Sequence, residues 1–313
     1  MDYQEKTIQL LDKQRRDWML LRTNYEGLIH ARTKSFDFNH FRIDIQYNPK
    51  RIISSGAKVD DASISSRKCF LCFENRPDEQ SHVLYEKDYA ILCNPYPIFS
   101  DHLTIASLEH RPQQIEGEFH RLLHLSRDLP GMVLFYNGPK CGASAPDHMH
   151  FQAGNRGLMP LEQDFNNIVH QNGTVLIKKD DLTLTATDDG LRRVLTMESS
   201  NESFIDDQFN RILEHTKIYS ADQEPMMNLL VYYDKLWRVQ VFLRELHRPE
   251  QYFLKGEDNI LFSPAAVDMG GTLILPLEKD FRKLGKVEII DMFKQVTINK
   301  EKFNDLKEFL KEK

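Results

Sequence analysis

Two histidines and a glutamine occupy alternate positions in the stretch APDHMHFQAG, residues 145–154. Alternate residues of a β-strand face the same side of a sheet, so His148, His150 and Gln152 would line one surface. The apolar residues between them would face the opposite side and anchor the strand. Imidazole serves as a metal ligand or, when neutral, as a nucleophile or general base. The spacing therefore indicates either a metal site or a catalytic strand.

A pair of cysteines upstream adds a metal-binding pattern. Cys69 and Cys72 form a CxxC turn, and His110 and His148 follow at equal gaps of 38 residues (110 − 72 and 148 − 110). Structural zinc commonly takes two thiolates from such a turn and two imidazoles from elsewhere in the chain. We therefore predict a structural zinc site made of these four residues, with His102 as an alternative to His110. Two buried cysteines that only fill space are one alternative. A thioredoxin-like redox pair is another, which the absence of a surrounding βαβ pattern disfavours.

The loop that leads into the histidines is rich in small residues, which let a backbone approach a ligand closely. Asn137, Lys140 and Ser144 offer donors suited to phosphate oxygens, and Gly138 would expose its backbone. The pattern matches neither a dinucleotide-binding fingerprint nor a P-loop. We predict that these four residues bind the substrate.

The predicted secondary structure must position these residues. Residues 4–32 have apolar side chains at helical spacing, whereas the stretches 81–110 and 132–138 alternate in the manner of strands. A similar succession of helices and strands begins again beyond residue 157. We therefore expect an α+β protein of two halves, residues 1–157 and 158–313.

Composition limits the classes of function. The chain has 313 residues, of which 41% are hydrophobic, and a formal net charge of −6, which argues against nucleic acid as a partner. No segment reaches the roughly 18 uninterrupted apolar residues that a membrane span needs, and the first residues lack a signal-peptide pattern. Four cysteines are too few for a disulfide framework. A cytoplasmic protein without membrane partners is expected.

Two basic groups outside the histidine region could contact phosphate. Lys50 and Arg51 form one, and Arg244, His247 and Arg248 form the other. Exposed basic side chains are the rule in folded proteins. Both groups are therefore expected to face solvent.

Several of these stretches together resemble the histidine-triad superfamily. NPYPIFSDHLTIASLEHRPQ, residues 94–113, is similar to the strand, turn and strand that precede the HxHx(H/Q) strand of that superfamily. Gln152 and the CxxC pair resemble its nucleotidyltransferase branch, which includes the galactose-1-phosphate uridylyltransferases, diadenosine tetraphosphate phosphorylases and GDP-hexose phosphorylases. DHMHFQAG is most similar to the GDP-hexose phosphorylases, while the Cys2His2 set resembles the zinc site of the uridylyltransferases.

The resemblance implies a histidine-triad-like antiparallel sheet with helices, built as two related halves. It implies that His150 is the nucleophile, that His148 binds zinc or orients its neighbour, and that Gln152 donates to phosphoryl oxygens. Asn137 and Ser144 would lie along the α-phosphate. The substrate would be a nucleotide or nucleotide-sugar, and the enzyme would act as a monomer or a homodimer.

The function predicted from the sequence is a nucleotidyltransferase or phosphorylase. It would cleave a nucleoside diphosphate-sugar or a dinucleoside polyphosphate through a covalent nucleotidyl-histidine at His150, with phosphate or a sugar phosphate as acceptor. Three alternatives stay open. They are a hydrolase that uses the same histidine, a zinc-stabilised nucleotide-binding module without turnover, and a metal hydrolase in which His148 and His150 hold a catalytic zinc.

Overall fold

A ten-stranded antiparallel sheet forms the centre of the protein in the computed structural model, which describes residues 2–52, 56, 59–220, 222 and 224–312. Five strands come from the first half of the chain: β3 (His82–Tyr85), β4 (Tyr89–Cys93), β5 (His102–Ser107), β6 (Met132–Asn137) and β7 (His150–Asn155). Five come from the second half: β8 (Thr174–Lys179), β9 (Leu182–Asp188), β10 (Arg193–Ser199), β11 (Met227–Asp234) and β12 (Leu236–Leu243). The predicted α+β class with a large antiparallel sheet is confirmed.

The order of strands across the sheet is β3-β4-β5-β7-β6-β11-β12-β10-β9-β8. The two sets of five strands therefore lie side by side and meet where β6 pairs with β11. A smaller sheet joins β1 (Arg32–Asp37) and β2 (Arg42–Tyr47) to β13 (Thr272–Leu275). Since β13 follows the second set of strands along the chain, the two predicted halves are interlocked. A boundary near residue 157 stays a prediction.

Helices cover the large sheet. They are α1 (Tyr3–Asp17), α2 (Met19–Ile29), α3 (Asp61–Ser66), α4 (Phe119–Asp128), α5 (Pro160–Gln163), α6 (Glu202–Lys217), α7 (Ala266–Met269), α8 (Glu278–Lys283), α9 (Lys286–Val296) and α10 (Lys300–Lys311), with a π-helical segment at Asn166–Gln171. In the described part of the chain, no helix is long and apolar enough to cross a membrane.

The single helix expected over residues 4–32 is interrupted at Trp18. This residue has an extended backbone, with φ −105° and ψ 104°, and it separates α1 from α2. Its indole is only 3% exposed and packs into the core. Burial of a large apolar side chain contributes about 1.5–3 kcal/mol, more than the roughly 0.5–1.5 kcal/mol that one helical hydrogen bond supplies. Tertiary packing therefore explains the interruption.

One face of the large sheet is closed by α1, α4, α6 and α10. The amphipathic pattern of α6 shows why, because Ile205, Phe209, Ile212 and Thr216 repeat at helical spacing and are all buried. Phe209 stacks on Phe119 of α4 at 3.7 Å between ring centroids. The apolar partners of the histidines also lie in this core, in the order Met149, Phe151, Ala153. The opposite side of β7 is consequently free to carry polar residues.

The register between β5 and β7 places a glycine where an aromatic ring must pack. His102 pairs with Gly154, Thr104 with Gln152. A Cβ atom on Gly154 would lie 2.3 Å from the ring of Phe99, closer than real contacts allow. Glycine is therefore required here for the close approach of the ring. This requirement explains Gly154 at the end of the HFQAG stretch.

Substitution Gly154→Ala tests this packing. The added methyl must displace the ring of Phe99 from a filled core, so we expect the free energy of unfolding to fall by about 1–3 kcal/mol. Urea denaturation followed by far-UV circular dichroism would measure the change. Gly131→Ala is the matched control, because its Cβ would meet its nearest neighbour, a Gln4 side chain, at 3.7 Å. Equal midpoints for the two variants would contradict the explanation.

Candidate active site

A cavity of about 400 Å³ lies on the face of the sheet opposite α1, α4, α6 and α10. Its floor is formed by side chains of four adjacent strands of the first half: Leu92, Thr104, Phe135, Asn137, His150 and Gln152. Phe70 and Leu71 of the CxxC turn form one wall. The opposite wall comes from the second half, through His247, Arg248 and the segment Ser263–Asp268. Residues distant in sequence therefore enclose one site.

His150 presents one ring nitrogen to this cavity. Its Nδ1 lies 2.8 Å from the carbonyl oxygen of His148, which can only accept, so Nδ1 carries the proton and donates. Burial lowers the pKa of His150 to about 4, which keeps the ring neutral near pH 7. Among the described residues, Nε2 has no hydrogen-bond partner. The lone pair on Nε2 is thus available to an electrophile in the cavity.

A buried glutamine holds the backbone of His150 in place. Pairing between β6 and β7 ends at Phe135 and Gln152, so the next residues along the two strands lack ladder hydrogen bonds. The Gln113 amide fills the gap: its Oε1 accepts from His150 N at 2.8 Å, and its Nε2 donates to the carbonyls of His150 and Asn137 at 2.9 Å each. Gln113 was missed in the sequence, where a polar residue after a proline gives no such signal.

Gln152 follows His150 along the same face of β7. Its Oε1 lies 3.1 Å from Nε2 of His102, which is fully buried in β5. The amide nitrogen of Gln152 remains the group that can donate into the cavity. His102, the alternative zinc ligand of the sequence analysis, is therefore occupied elsewhere, and the expectation that it competes with His110 is wrong.

The carboxamide of Asn137 is held in a similar way from behind. Its Oδ1 accepts from Asn228 Nδ2 at 2.9 Å and from the backbone N–H of Ala266 at 2.8 Å. Asn228 in turn accepts at its Oδ1 from Nη1 of Arg244 at 2.7 Å. Arg244 was expected to face solvent and is instead buried among carbonyl oxygens, including that of Pro264 at 2.9 Å. It supports Asn137 and lies away from the cavity lining.

The loop before the histidines brings two of its four predicted residues to the cavity. Asn137 and Ser144 line it. The Gly138 N–H donates to a backbone carbonyl of β11 at 3.0 Å. Lys140 is exposed and forms an ion pair with Asp222 at 2.7 Å. The side chain of Lys140 therefore lies outside the cavity, because the turn at this point directs it toward the second half of the chain.

Cys69, Cys72, His110 and His148 converge beside the cavity, with all four ligand atoms within 4.8 Å of one another. Nδ1 of His148 lies 3.3 Å from Cys69 Sγ and 3.3 Å from His110 Nδ1, and Cys72 Sγ lies 3.2 Å from His110 Nδ1. Metal–ligand bonds of about 2.0–2.3 Å in a tetrahedron give ligand separations of roughly 3.3–3.8 Å. The four residues thus fit a tetrahedral metal site.

The other ring nitrogen of His148 has the partner expected for a metal-bound histidine. Its Nε2 lies 2.8 Å from the carbonyl oxygen of Ser107, so Nε2 carries the proton and Nδ1 keeps its lone pair toward the cysteines. Metal-bound histidines typically donate their second nitrogen to a carbonyl in this manner. His150 is not part of the cluster, which disfavours a catalytic metal held by both histidines.

Basic residues that were expected in solvent line the cavity instead. Arg51 donates from Nη1 to the Tyr96 carbonyl at 2.5 Å, and its Nε is buried without a partner among the described residues. Burial lowers the pKa of Arg51 to about 10, so the side chain stays charged near pH 7. Arg248 is held by Ser263 Oγ at 2.9 Å, and His247 lies beside it. Lys50 alone of the first pair is exposed.

Two family models match separate parts of the chain. A model described as "Domain of unknown function (DUF4922)" matches residues 10–155, and a model described as "GDPGP1-like, C-terminal domain" matches residues 184–313. The first range contains the metal cluster and both histidines of the HxHxQ stretch. The second contains the basic wall of the cavity.

A curated relative resembles part of the chain. Galactose-1-phosphate uridylyltransferase of Halalkalibacterium halodurans (strain ATCC BAA-125 / DSM 18197 / FERM 7344 / JCM 9153 / C-125) is 32% identical over 127 residues, which cover 36% of this chain and 24% of that protein. The similarity thus spans about a quarter of the relative.

Solved structures share the fold over nearly the whole chain. Yeast Ap4A phosphorylase Apa2 in complex with AMP is 14% identical, with a TM-score of 0.62, and the match covers 95% of this chain and 98% of that one. The same enzyme in complex with Ap4A gives a TM-score of 0.61 at 14% identity, over 93% and 97% of the two chains. The chain therefore shares the overall fold of Apa2.

Proposed function

We propose that this chain, which belongs to the nucleotidyltransferase branch of the histidine-triad superfamily, is a nucleotidyltransferase or phosphorylase that works through a covalent nucleotidyl-histidine at His150. Its donor is a nucleoside diphosphate-sugar or a dinucleoside polyphosphate, and its acceptor is phosphate or a sugar phosphate. The observation that carries the proposal is the hydrogen bond from Nδ1 of His150 to the His148 carbonyl, which directs the lone pair of Nε2 into the cavity.

The reaction takes two displacements at the α-phosphorus. In the first, the lone pair of His150 Nε2 forms a P–N bond while the P–O bond to the leaving phosphate breaks, and that oxygen keeps the bonding electrons. The ring gains positive charge, which the Nδ1–H to carbonyl bond stabilises. In the second, an acceptor phosphate oxygen forms a new P–O bond, the P–N bond breaks, and its electrons return to Nε2. Transfer by this route predicts ping-pong kinetics.

Negative charge on the equatorial oxygens of the α-phosphoryl group needs positioned donors. The amide nitrogens of Asn137 and Gln152 and the hydroxyl of Ser144 lie around the same cavity as His150. Both amides have their oxygens bonded from behind, which leaves N–H groups toward the substrate. These donors require no rearrangement when charge develops, which is how preorganised sites stabilise a transition state.

Arg51 and Arg248 give the cavity a cationic side suited to the second phosphate of the donor. Arg51 makes no ion pair with a carboxylate among the described residues, and its buried Nε lacks a partner. The carboxylate of Asp268 also lines the cavity and acts on the charge of Arg51 without an ion pair, so the guanidinium keeps donors that an anionic ligand can use. Arg51 comes from the first half of the chain and Arg248 from the second, so a diphosphate would contact both halves.

We also propose that the Cys69, Cys72, His110 and His148 cluster holds zinc with a structural role. Two thiolates and two imidazoles are a usual zinc donor set, and four protein ligands leave no open position. When bound, the metal would fix the loop and the histidine stretch without taking part in the transfer. Leu71, between the two cysteines, lines the cavity, so the cluster also shapes the wall of the site.

His150→Ala tests the nucleophile. Purified protein would be incubated with GDP-, UDP- and ADP-sugars and with diadenosine tetraphosphate, each radiolabelled at the α-phosphate and given with and without inorganic phosphate. We expect label on the denatured wild-type protein and, with phosphate, release of nucleoside diphosphate. The variant should lose both, with turnover reduced at least about a thousandfold. His120→Ala, an exposed histidine outside the cavity, is the control.

The products separate the proposal from its alternatives. Nucleoside monophosphate formed without phosphate would make the protein a hydrolase with the same histidine. Nucleotide binding of equal affinity in wild type and His150→Ala, with no label or product in either, would indicate a binding module. Full activity in His150→Ala would end the proposal.

Arg51→Gln tests the site for the second phosphate. Loss of a charged hydrogen-bond donor costs on the order of 1.5–3 kcal/mol, so kcat/KM for the nucleoside diphosphate-sugar should fall about 10–100-fold. The p-nitrophenyl ester of the matching nucleoside monophosphate has no second phosphate and should be used equally well by both proteins. Lys50→Gln, at the exposed neighbour, is the matched control. Equal losses on both substrates would contradict the assignment.

Cys69→Ser tests the metal. Elemental analysis should find one zinc per wild-type chain and much less in the variant, and the variant should unfold at lower temperature because metal binding is coupled to folding. Cys93→Ala removes a thiol that is buried in the helix-covered core, away from the cluster, and should keep its zinc. Absence of zinc from the wild-type protein would remove the proposal.

A further inference from the structure

We propose that His102 is a positioning residue that fixes the carboxamide of Gln152 with its –NH2 group toward the reacting phosphoryl oxygens. That this –NH2 group donates to a phosphoryl group rests on the proposed function. The orientation of the amide follows from the hydrogen bonds around His102 alone. His102 is not among the described residues that line the cavity, whereas Gln152 is, so it acts through Gln152.

The hydrogen bonds of His102 leave only one tautomer. The backbone N–H of Ile98 points at Nδ1 at 3.2 Å. An N–H group can only donate, so Nδ1 must be the unprotonated, accepting nitrogen. A neutral ring then carries its proton on Nε2. Burial and the nearby charge of Arg51 lower the pKa of His102 to about 3, which agrees with a neutral ring.

This tautomer determines which way the Gln152 amide faces. Nε2–H of His102 must donate, and the atom 3.1 Å away must accept, which only the amide oxygen can do. The Gln152 nitrogen is therefore turned to the cavity side, beside His150. A glutamine without such a partner could reverse its amide at little energetic cost, since oxygen and nitrogen have nearly the same shape. Reversal would place an oxygen against the phosphoryl oxygens and repel them.

The ring of His102 has no freedom to exchange its nitrogens. It is fully buried, it lies edge-on to Phe99 at 5.5 Å between ring centroids, and it contacts Phe135 at 6.0 Å. Its backbone N–H donates to the hydroxyl of Tyr25 at 3.1 Å. A ring flip would require Phe99 to move, and Phe99 is held against the backbone of Gly154. The ring of Phe99 therefore connects the requirement for glycine at position 154 with the fixed position of His102.

Two variants of His102 separate its two hydrogen bonds. His102→Asn places an acceptor near the position of Nδ1, so the bond from Ile98 can be kept while the donor to Gln152 is lost. His102→Gln places a donor near the position of Nε2, so the bond to Gln152 can be kept while the bond from Ile98 is lost. We expect His102→Asn to lower kcat about 10–100-fold with little change in KM, because a single mispositioned donor weakens transition-state binding. His102→Gln should retain most of kcat.

A double-mutant cycle with Gln152→Ala distinguishes positioning from a merely structural role. If His102 acts through Gln152, His102→Asn should cause no further loss of kcat in a Gln152→Ala background. An equal fractional loss in both backgrounds would overturn the inference. The assay is phosphate-dependent release of nucleoside diphosphate from whichever of the four donors above gives the highest kcat/KM.

A second measurement does not depend on turnover. Nitrogen NMR of the histidine rings at pH 7 reports which ring nitrogen carries the proton, and the resonances of His102 are identified by their loss in His102→Asn. We expect Nε2–H, whereas Nδ1–H or a doubly protonated ring would overturn the inference. Full activity in His150→Ala would instead overturn the proposed function, and the NMR result would still decide the orientation of the amide.

Discussion

One residue, His148, links the two chemistries of the site. Its side chain belongs to the cysteine-rich cluster through Nδ1, while its backbone carbonyl accepts the proton-bearing nitrogen of His150. Any force that orients His148 is therefore transmitted to the tautomer and direction of the nucleophile. Pairing between β6 and β7 ends before His150, which leaves the backbone around His148 and His150 free to adopt this geometry. The amide of Gln113 bridges the two strands there and holds them at this separation. A structural metal would thus support catalysis without contacting substrate.

Carboxamides are well suited to surround a phosphoryl group, but they are also ambiguous, because each has a donor and an acceptor of the same shape. Buried groups fix the direction of the amide at two positions in this protein. Asn137 is oriented by the Arg244 and Asn228 pair, and Gln152 by His102. In both networks the groups behind the amide are buried and hydrogen-bonded to one another, which strengthens their hold on the direction of the amide. The side chains behind the site are therefore as important to its electrostatics as those that face the cavity.

The sequence predicted the parts that depend on local spacing. Alternation places His150 and Gln152 on one face of a strand, and the CxxC turn with its two histidines converges as expected. His148, expected on the same face, instead precedes β7 and turns its side chain to the cysteines. The sequence could not predict the directions of loop side chains, which depend on distant contacts. Lys140 lies outside the site, where it pairs with Asp222. Arg51 lies in the site, although basic side chains are usually exposed to solvent. For the same reason, no local pattern marks a supporting group whose partner lies tens of residues away.

The first half of the chain contains every residue that the sequence marked as catalytic, yet it does not make a complete site. The oxygen of Asn137 is held by Asn228 and by the N–H of Ala266, both from the second half. Without them, the amide would be free to reverse, and two buried hydrogen bonds would be lost. The cationic wall at Arg248 would be missing as well. The second half therefore orients a group of the first, which explains why β6 and β11 must pair at the centre of one continuous sheet.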